Sequence, residues 1–343
     1  MKKLLPWKAQ KAIESVTYFS MHQIKKKLKT KKTSTFHNIH FICGYQGKSG
    51  GTQAIINIAK LLVNNYNVSI SVNKTSIINM WIPKEVTLTK QIDESAELYI
   101  CDLSTDINIL LYLKKLNKKI IVSIHGLKEK LHQLDENHIK KVIELSDKVH
   151  FVSDVQQNSY KLAENKYFII PNYTNLVNKT HITNNVGTVG NLDEPRKGAL
   201  KTVELGQKSV AEHIHLWSTN KKWKQNKVIS HPWCSNKVKI FNSFDVLVFL
   251  SESETFGLVI IEAMSAGIPC ILSPLPVFNQ FKECPGIYIL DDKDTLKDKV
   301  DKVNFALINK QNLKEQLIEY YLNNYSPEVI FFDWKNKIDQ LIT

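Results

Sequence analysis

Short apolar runs and amphipathic stretches alternate along the chain from residue 37 onward. The apolar runs are typical of buried strands, and the stretches between them have the apolar spacing of surface helices. Such alternation predicts a parallel sheet covered by helices on both faces. The predicted strands are 37–44, 68–72, 98–101, 119–124, 149–152 and 167–170, with helices at 52–65, 139–145 and 156–163.

A turn-rich and polar segment interrupts this alternation before it begins again. Residues 171–175 read Pro-Asn-Tyr-Thr-Asn and residues 178–185 are polar, which predicts a linker. We therefore expect a first Rossmann-like domain at 36–171 and a second at 172–326, facing each other across a cleft. The second set of predicted strands is 186–190, 213–217, 227–230, 246–250 and 268–272, with helices from 198 and at 257–266.

Length and composition agree with two globular domains. The 343 residues are enough for two domains of ordinary size, and the chain has no apolar run long enough for a membrane-spanning helix. The five cysteines are scattered without a CxxC pair, so neither a zinc site nor a disulfide framework is indicated. We expect reduced thiols in a cytoplasmic protein without a secretory signal.

The positive charge is concentrated in a leader at residues 1–35. This leader has ten lysines against one glutamate, a net charge of +9, which leaves +4 of the total +13 for the remaining chain. Apolar residues at 13, 16, 18, 24 and 28 follow helical spacing, so a basic amphipathic helix on an anionic membrane is expected. A helix packed on the body and a solvated tail are the alternatives. Nucleic acid is not an expected partner because no second basic stripe or recognition motif follows.

Chemistry is concentrated in the segment 251–270. Glu254 follows a predicted strand, and Glu262 lies eight residues later inside the next helix. The amides of Phe256, Gly257 and Leu258 begin that helix, and a helix N-terminus is a ready site for a diphosphate. A carboxylate at Glu262 can accept two hydrogen bonds from a ribose diol, although a surface glutamate is the structural alternative.

This segment resembles glycosyltransferase family four, the retaining family with the GT-B fold of two facing Rossmann-like domains. The resemblance rests on the Glu254–Glu262 spacing followed by Ala-Met-Ser-Ala-Gly-Ile-Pro at 263–269. It implies that Glu254 contacts the sugar of the donor and that Glu262 holds its ribose. It also implies retention of anomeric configuration without a metal ion, and no cofactor beyond a UDP- or GDP-linked sugar as co-substrate.

The segment 189–198 is similar to the basic phosphate loop of the same family. Lys197 matches the lysine of that loop, which neutralises the diphosphate as the leaving nucleotide gains charge. The arginine of the family is Asn191 here, and Arg196 is the candidate to replace it. We expect Asn191, Arg196 and Lys197 to border the donor site.

The first domain contributes a glycine-bearing loop and a histidine. Gly50, Gly51 and Gln53 open its first helix, and the resemblance implies that this loop covers the donor phosphates and the acceptor. A P-loop is disfavoured because Ile42 stands where its first glycine belongs. His125 ends a predicted strand, and the resemblance implies a catalytic contact with the donor sugar. The final helix, 327–343, resembles the family helix that packs back on the first domain.

The sequence thus predicts a retaining, hexosyltransferase-type enzyme. Its expected acceptor is a saccharide or glycolipid in bacterial surface polysaccharide or lipopolysaccharide synthesis, because the basic leader suggests a membrane-borne substrate. Its expected location is the inner face of the cytoplasmic membrane, as a peripheral protein. The alternative is a degenerate GT-B protein that binds a glycan or a partner without catalysis, as the Asn191 departure would allow.

Overall fold

The structure is a computed structural model that describes residues 37–45, 50–72, 81–128, 135–220 and 223–342. The predicted leader and residues 47–49 of the first loop lie outside these ranges. Within them, no helix combines the length and the apolar character needed to cross a bilayer. The five cysteines all lie in the described residues, and none of them forms a disulfide there.

Parallel strands build both sheets, because every strand pair in the described residues is parallel. The first sheet contains β1 (Asn38–Ile42), β2 (Asn67–Ser71), β3 (Thr87–Thr89), β4 (Leu98–Asp102), β5 (Lys119–Ser123), β6 (Lys148–Phe151) and β7 (Tyr167–Ile169). The second contains β8 (Val186–Val189), β9 (Ile214–Trp217), β10 (Val228–His231), β11 (Val246–Phe249), β12 (Cys270–Leu272) and β13 (Ile287–Ile289).

The two sheets have matching strand orders. The first runs β3-β2-β1-β4-β5-β6-β7 and the second β10-β9-β8-β11-β12-β13. Each order reverses direction once, between β1 and β4 in the first sheet and between β8 and β11 in the second. In open parallel sheets, ligands bind at the carboxyl ends of the strands beside such a reversal. The strand order therefore predicts a ligand site at the loops after β1, β4, β8 and β11.

Helices cover both faces of the sheets. In β4, Leu98 and Ile100 belong to one buried cluster, whereas Tyr99 and Cys101 belong to another on the opposite face. The predicted architecture is therefore confirmed. The α-helices are α1 (Gly50–Leu62), α2 (Ile107–Lys115), α3 (Glu136–Leu145), α4 (Asp154–Tyr160), α5 (Ala199–Lys208), α6 (Lys237–Phe241), α7 (Leu258–Ser265), α8 (Leu296–Asn324) and α9 (Pro327–Ile342).

Element boundaries differ from the predictions by a few residues, and several elements were not predicted. The strand expected at 268–272 begins at Cys270, because α7 ends through Gly267, whose φ of +68° is the left-handed conformation that glycine adopts readily. The unpredicted elements include β3, α2, α6 and β13. Both of these strands have only three residues, too few for a periodic pattern.

The last helix, α9, belongs to the core of the first domain although it follows the second in sequence. Ile330, Trp334 and Ile338 lie at successive helical turns and are buried in the cluster that contains Phe41 of β1. The ring of Trp334 packs 5.6 Å from the ring of Phe168, centroid to centroid. This helix therefore ties the end of the chain to the first sheet.

Replacement of Trp334 by alanine is expected to lower the free energy of unfolding by about 3–5 kcal/mol, because the indole is 1% exposed and fills the core under β7. Urea unfolding measures this change when it is monitored by far-ultraviolet circular dichroism, which does not depend on tryptophan fluorescence. Phe332→Ala is the matched control, since Phe332 lies on the same helix but is 62% exposed. Equal effects of the two substitutions would contradict the burial of Trp334.

Candidate active site

A cavity of about 610 Å³ lies between the carboxyl edges of the two sheets. The first domain contributes the start of α1, the end of β5 and the linker, and the second contributes the loops after β8 and β11 and the start of α7. Of the residues proposed from sequence, the lining includes Gly50, Gly51, His125, Arg196, Lys197, Glu254, Phe256, Gly257 and Leu258. The other lining residues are Ala54, Gly126, Leu127, Asn172, Val189, Gly190, Phe249, Ser253, Thr255 and Val259.

An ion pair between Lys197 and Glu254 forms one wall of this cavity. Lys197 ends a short 3-10 helix after β8, and Glu254 lies in the loop after β11. The Nζ atom of Lys197 is 2.6 Å from Oε1 of Glu254, and the side chains are only 16% and 14% exposed. The same Nζ lies 5.9 Å from the centroid of the Phe249 ring. A largely buried cation and a largely buried carboxylate are thus held together at the point where the strand order of the second sheet reverses.

Arg196 and Asn191 share a second carboxylate, that of Glu194. Asn191 Nδ2 donates to Glu194 Oε1 over 2.7 Å, and Arg196 Nη2 lies 2.6 Å from Glu194 Oε2. Arg196 lines the cavity, and its Nη1 atom also donates to the carbonyl of Ser253 over 3.4 Å. Asn191 does not line the cavity, because its short side chain is held against Glu194. The positive charge in this loop therefore comes from residues 196 and 197.

The N-terminus of α7 is open to the cavity. Gly257 is the N-cap residue with φ of +99°, and no side chain caps the helix. A Cβ atom at Gly257 would approach Ile260 Cδ1 to 2.8 Å, so a side chain fits poorly there. Because the first amides of a helix have no partner within it, they are available to an anion. Phe256, Gly257 and Leu258, which carry these amides, line the same cavity as Lys197.

Glu262 lies outside the cavity wall, one helical turn beyond Leu258 on the same side of α7. Its side chain is 11% exposed, and its Oε1 atom is 2.8 Å from Nζ of Lys237 at the start of α6. The structure therefore does not bring the two carboxylates of Glu254 and Glu262 together on the cavity lining. Glu262 faces a lysine that is 44% exposed and thus within reach of solvent.

On the side of the first domain, the cavity meets the N-terminus of α1. Gly50 and Gly51 line it, whereas Gln53 does not, since its Nε2 atom donates to Asn57 Oδ1 over 3.0 Å. Asp102 at the end of β4 accepts a hydrogen bond from the amide of Tyr45 over 3.2 Å and so holds the loop that follows β1. Burial raises the pKa of this aspartate. Two helix N-termini, of α1 and α7, therefore approach the cavity from different domains.

His125 is anchored by two further polar side chains. Its Nε2 atom lies 2.9 Å from Ser123 Oγ, which lies 2.7 Å from Nδ1 of His150. The Nε2 atom of His150 lies 2.8 Å from the carbonyl oxygen of Ile170, next to the linker. Burial, and then the neighbouring His150, lower the pKa of His125 to about 3. Burial also lowers the pKa of His150 to about 4, so both imidazoles are neutral at physiological pH.

Thr255 joins the two domains directly beside Glu254. The Oγ atom of Ser153 donates to the carbonyl of Thr255 over 2.8 Å, and Thr255 Oγ1 donates to the carbonyl of His125 over 3.3 Å. The first domain is the donor in one of these bonds and the acceptor in the other. They place the loop of Glu254 against the strand end that carries His125.

Thr255→Val is expected to raise the amide exchange rate of residues 252–256 by about 2–10-fold, because it removes one interdomain hydrogen bond of ordinary strength. Hydrogen–deuterium exchange with mass spectrometry measures this, and Ser153→Ala should act in the same direction. The exposed Thr180 provides a control substitution, Thr180→Val, that should leave this loop unchanged. Unaltered exchange in both loop variants would show that these bonds do not hold the loop.

Sequence reasoning missed the residues that support the site from behind. No motif contains Ser123, His150 or Ser153, and each acquires its role from a residue distant in sequence. Gln156 is a further example, since its buried amide donates to the carbonyl of Ile124 over 2.8 Å and so holds the turn of His125. One signal was available, namely polar residues at the ends of predicted strands.

Residues 154–324 match the family of glycosyl transferases group 1. The matched segment, just under half of the chain, runs from the start of α4 to the end of α8 and contains Lys197, Glu254 and Glu262. No curated protein matches the chain in sequence.

Several solved structures are similar to the chain over most of its length. One is Anabaena Alr3699/HepE in complex with UDP, with a TM-score of 0.73, 13% identity and coverage of 89% of this chain and 100% of that one. A glycosyltransferase from Rickettsia africae ESF-5 has a TM-score of 0.70 and 12% identity, covering 90% and 100%. The lipopolysaccharide outer core galactosyltransferase WaaB has a TM-score of 0.65 and 17% identity, covering 88% and 99%. At these identities the likeness confirms the expected GT-B fold alone.

Proposed function

We propose that the protein is a retaining glycosyltransferase of the hexosyltransferase type, which transfers a sugar from a nucleotide-sugar donor without a metal ion. One observation carries the proposal. The Lys197–Glu254 pair stands at the open N-terminus of α7 and faces His125 of the other domain across a cavity of about 610 Å³. A cation, free amides and a carboxylate are thus arranged where a diphosphate joined to a sugar would fit.

The donor diphosphate binds to Lys197, Arg196 and the amides that begin α7. Its negative charge grows as the nucleotide leaves, and fixed positive groups stabilise that charge without rearrangement. The start of α1 at Gly50 and Gly51 adds a second helix dipole from the opposite domain. Arg196 must exchange Glu194 for phosphate, which its half-exposed position permits.

The sugar lies between Glu254 and His125, and the acceptor enters beside Gly50 and Gly51. Glu254 accepts hydrogen bonds from the sugar hydroxyls while Lys197 turns from the carboxylate to the phosphate. The bond between the sugar and the diphosphate breaks first. The acceptor hydroxyl then attacks from the same face and gives its proton to the departing phosphate, so configuration is retained. The ribose extends past Leu258 along α7 to Glu262, which accepts from its hydroxyls after release from Lys237, whose exposed ammonium group returns to solvent.

The donor is a UDP- or GDP-linked hexose. The UDP alternative is favoured by Anabaena Alr3699/HepE, which is similar in fold and is described in complex with UDP, with UDP and glucose, and with UDP-glucose. The WaaB likeness favours an acceptor in lipopolysaccharide or surface polysaccharide synthesis, since that protein acts on the lipopolysaccharide outer core.

A thermal-shift screen with UDP, GDP, ADP and their sugars tests the donor proposal. A nucleotide that binds the folded protein stabilises it by about 2.7 kcal/mol at one hundred times its dissociation constant. We expect stabilisation by UDP or GDP, followed by release of the nucleoside diphosphate from the matching sugar. If no nucleotide stabilises the protein and no sugar nucleotide is consumed, the proposal is wrong.

The basic leader directs the protein to the inner face of the cytoplasmic membrane, where a lipid-linked acceptor is available. Ten lysines in residues 1–35 attract anionic headgroups, each by about 1 kcal/mol near the surface. Deletion of residues 1–35 is expected to abolish sedimentation with phosphatidylglycerol vesicles and to leave sedimentation with neutral vesicles low in both proteins. Unchanged sedimentation after the deletion would defeat this part of the proposal.

A further inference from the structure

The hydrogen-bonded series His125, Ser123, His150 and Ile170 has a single consistent direction. It begins at the cavity, where His125 forms part of the lining, and ends at a main-chain carbonyl at the start of the linker. A carbonyl oxygen only accepts hydrogen bonds, so Nε2 of His150 must carry a proton. Because His150 is neutral and buried, its other ring nitrogen, Nδ1, then carries a lone pair.

That lone pair determines the rest of the series. The hydroxyl of Ser123 donates its single proton to His150 Nδ1 over 2.7 Å. The Ser123 oxygen can therefore only accept from His125, which must donate from Nε2 over 2.9 Å. A neutral His125 with its proton on Nε2 keeps a lone pair on Nδ1.

The Nδ1 atom of His125 is the part of the ring left for a ligand. Within the described residues it has no hydrogen-bond partner, and it is not among the buried polar atoms that lack one. It is therefore an accessible acceptor on the ring of a residue that lines the cavity.

We propose that Ser123 and His150 are positioning residues that hold His125 as the Nε2–H tautomer, so that its Nδ1 lone pair selects a hydroxyl group on the substrate. This inference rests on the proposed function for the identity of that substrate. A sugar hydroxyl donates to the lone pair. A carboxylate or phosphate at the same place finds no N–H group and meets a lone pair instead, so a neutral sugar is favoured there over a uronic acid.

The surroundings of His150 make the arrangement rigid. Its ring lies 4.6 Å from the ring of Trp334 and 5.4 Å from that of Phe168, centroid to centroid. These contacts leave His150 little freedom to rotate away from Ile170. The tautomer of His125 is consequently set by the packing of α9 and β7 against β6.

The test is nitrogen NMR of histidine-labelled protein without ligand. Long-range proton–nitrogen spectra distinguish protonated from unprotonated ring nitrogens, and His125→Asn and His150→Phe assign the signals by their loss. We expect His125 and His150 each to carry the proton on Nε2 between about pH 5 and 8, where ordinary histidines titrate. A proton on Nδ1 of His125, or a doubly protonated ring, would overturn the proposal.

Variants test the coupling between the two rings. In His150→Phe the Ser123 hydroxyl loses its acceptor and turns to His125 Nε2, so the His125 proton should move to Nδ1. The double variant Ser123→Ala/His150→Phe removes the hydroxyl that would donate to Nε2 of His125. The His125 proton should therefore return to Nε2. Ser123→Thr keeps the hydroxyl and should resemble the wild type. An unchanged His125 signal in His150→Phe would overturn the proposal. If His150→Phe does not fold, Ser123→Ala alone is the test, and it must shift the Nε2 signal of His125.

A second buried histidine–serine pair in the same sheet is the matched control. His40 Nδ1 lies 2.8 Å from Ser69 Oγ, and neither residue lines the cavity. Ser69→Ala should leave the His125 signals and the donor kinetics unchanged. With the donor found by the thermal-shift screen, His150→Phe should lower kcat/KM about tenfold, the effect of one hydrogen bond, and Ser123→Thr should stay near wild type.

The two proposals can fail separately. If the wild type shows the expected nitrogen pattern but consumes no sugar nucleotide, the proposed function fails and the tautomer assignment stands. If it consumes a donor and the His125 proton lies on Nδ1, the tautomer assignment fails and the proposed function stands.

Discussion

Glu254→Gln is expected to lower kcat by about 10²–10³-fold and to leave UDP bound as tightly as before or more tightly. The substitution keeps the size of the side chain but removes the charge that the sugar and the developing positive centre meet in the transition state. It also frees Lys197, 2.6 Å away, to interact with the diphosphate alone. Steady-state kinetics with the preferred donor and calorimetric titration with UDP measure the two effects.

The control lies two residues away in the same loop. Glu252 is 55% exposed and pairs with Lys201 over 2.8 Å, so Glu252→Gln changes an equivalent charge outside the cavity. We expect kinetic parameters close to wild type for this variant. A similar loss in both variants would mean that the net charge of the loop, rather than the Glu254 carboxylate, governs turnover.

Lys197→Met is expected to weaken UDP binding, which is the opposite of the effect expected for Glu254→Gln. Loss of a charge-assisted hydrogen bond to phosphate should weaken UDP binding by about 10–100-fold, and kcat/KM should fall at least as much. The Glu254 carboxylate is left without its partner at 14% exposure, so the free energy of unfolding should fall by about 1–3 kcal/mol, between the values for surface and buried pairs. Titration with UDP and urea unfolding measure these changes.

Lys201→Met is the matched control, because it breaks the exposed pair with Glu252 and should change neither quantity appreciably. The double variant of Lys197 and Glu254 adds a thermodynamic cycle. If the two substitutions are additive in stability, the pair observed at 2.6 Å is not energetically coupled. Tighter UDP binding in Lys197→Met would contradict the placement of the diphosphate.

The sequence predicted the order and type of most elements because the strands of buried parallel sheets are nearly continuous apolar runs. The edge strand β3 escapes such reasoning. Thr87 and Leu88 of β3 are exposed, so nothing in the pattern distinguishes them from a loop. The sequence also predicted that the last helix packs back on the first domain. The burial of Trp334 supports this, because only the folded first domain provides the surface that covers it.

For the site, the sequence indicated which loops meet but not how their side chains pair. Lys197 and Glu254 are 57 residues apart, and neither residue type nor spacing shows that they form an ion pair. The orientation of Glu262 toward Lys237 was likewise not predictable, since the same helix position could face the cavity. The Ser123–His150 support depends on the register between β5 and β6, in which Ser123 lies beside His150.

The return of α9 to the first sheet has a consequence for biosynthesis. The ribosome makes β1 to β7 first, yet Ile330, Trp334 and Ile338, which complete their core, are added only after the whole second domain. Until α9 has been made, the apolar groove that it fills in the first domain stays open to solvent. Chaperones recognise such exposed apolar surface. Early termination upstream of α9 should yield a chain whose first domain lacks these three core residues. A break at the exposed residues 180–182 instead leaves every core-forming helix available for reassembly.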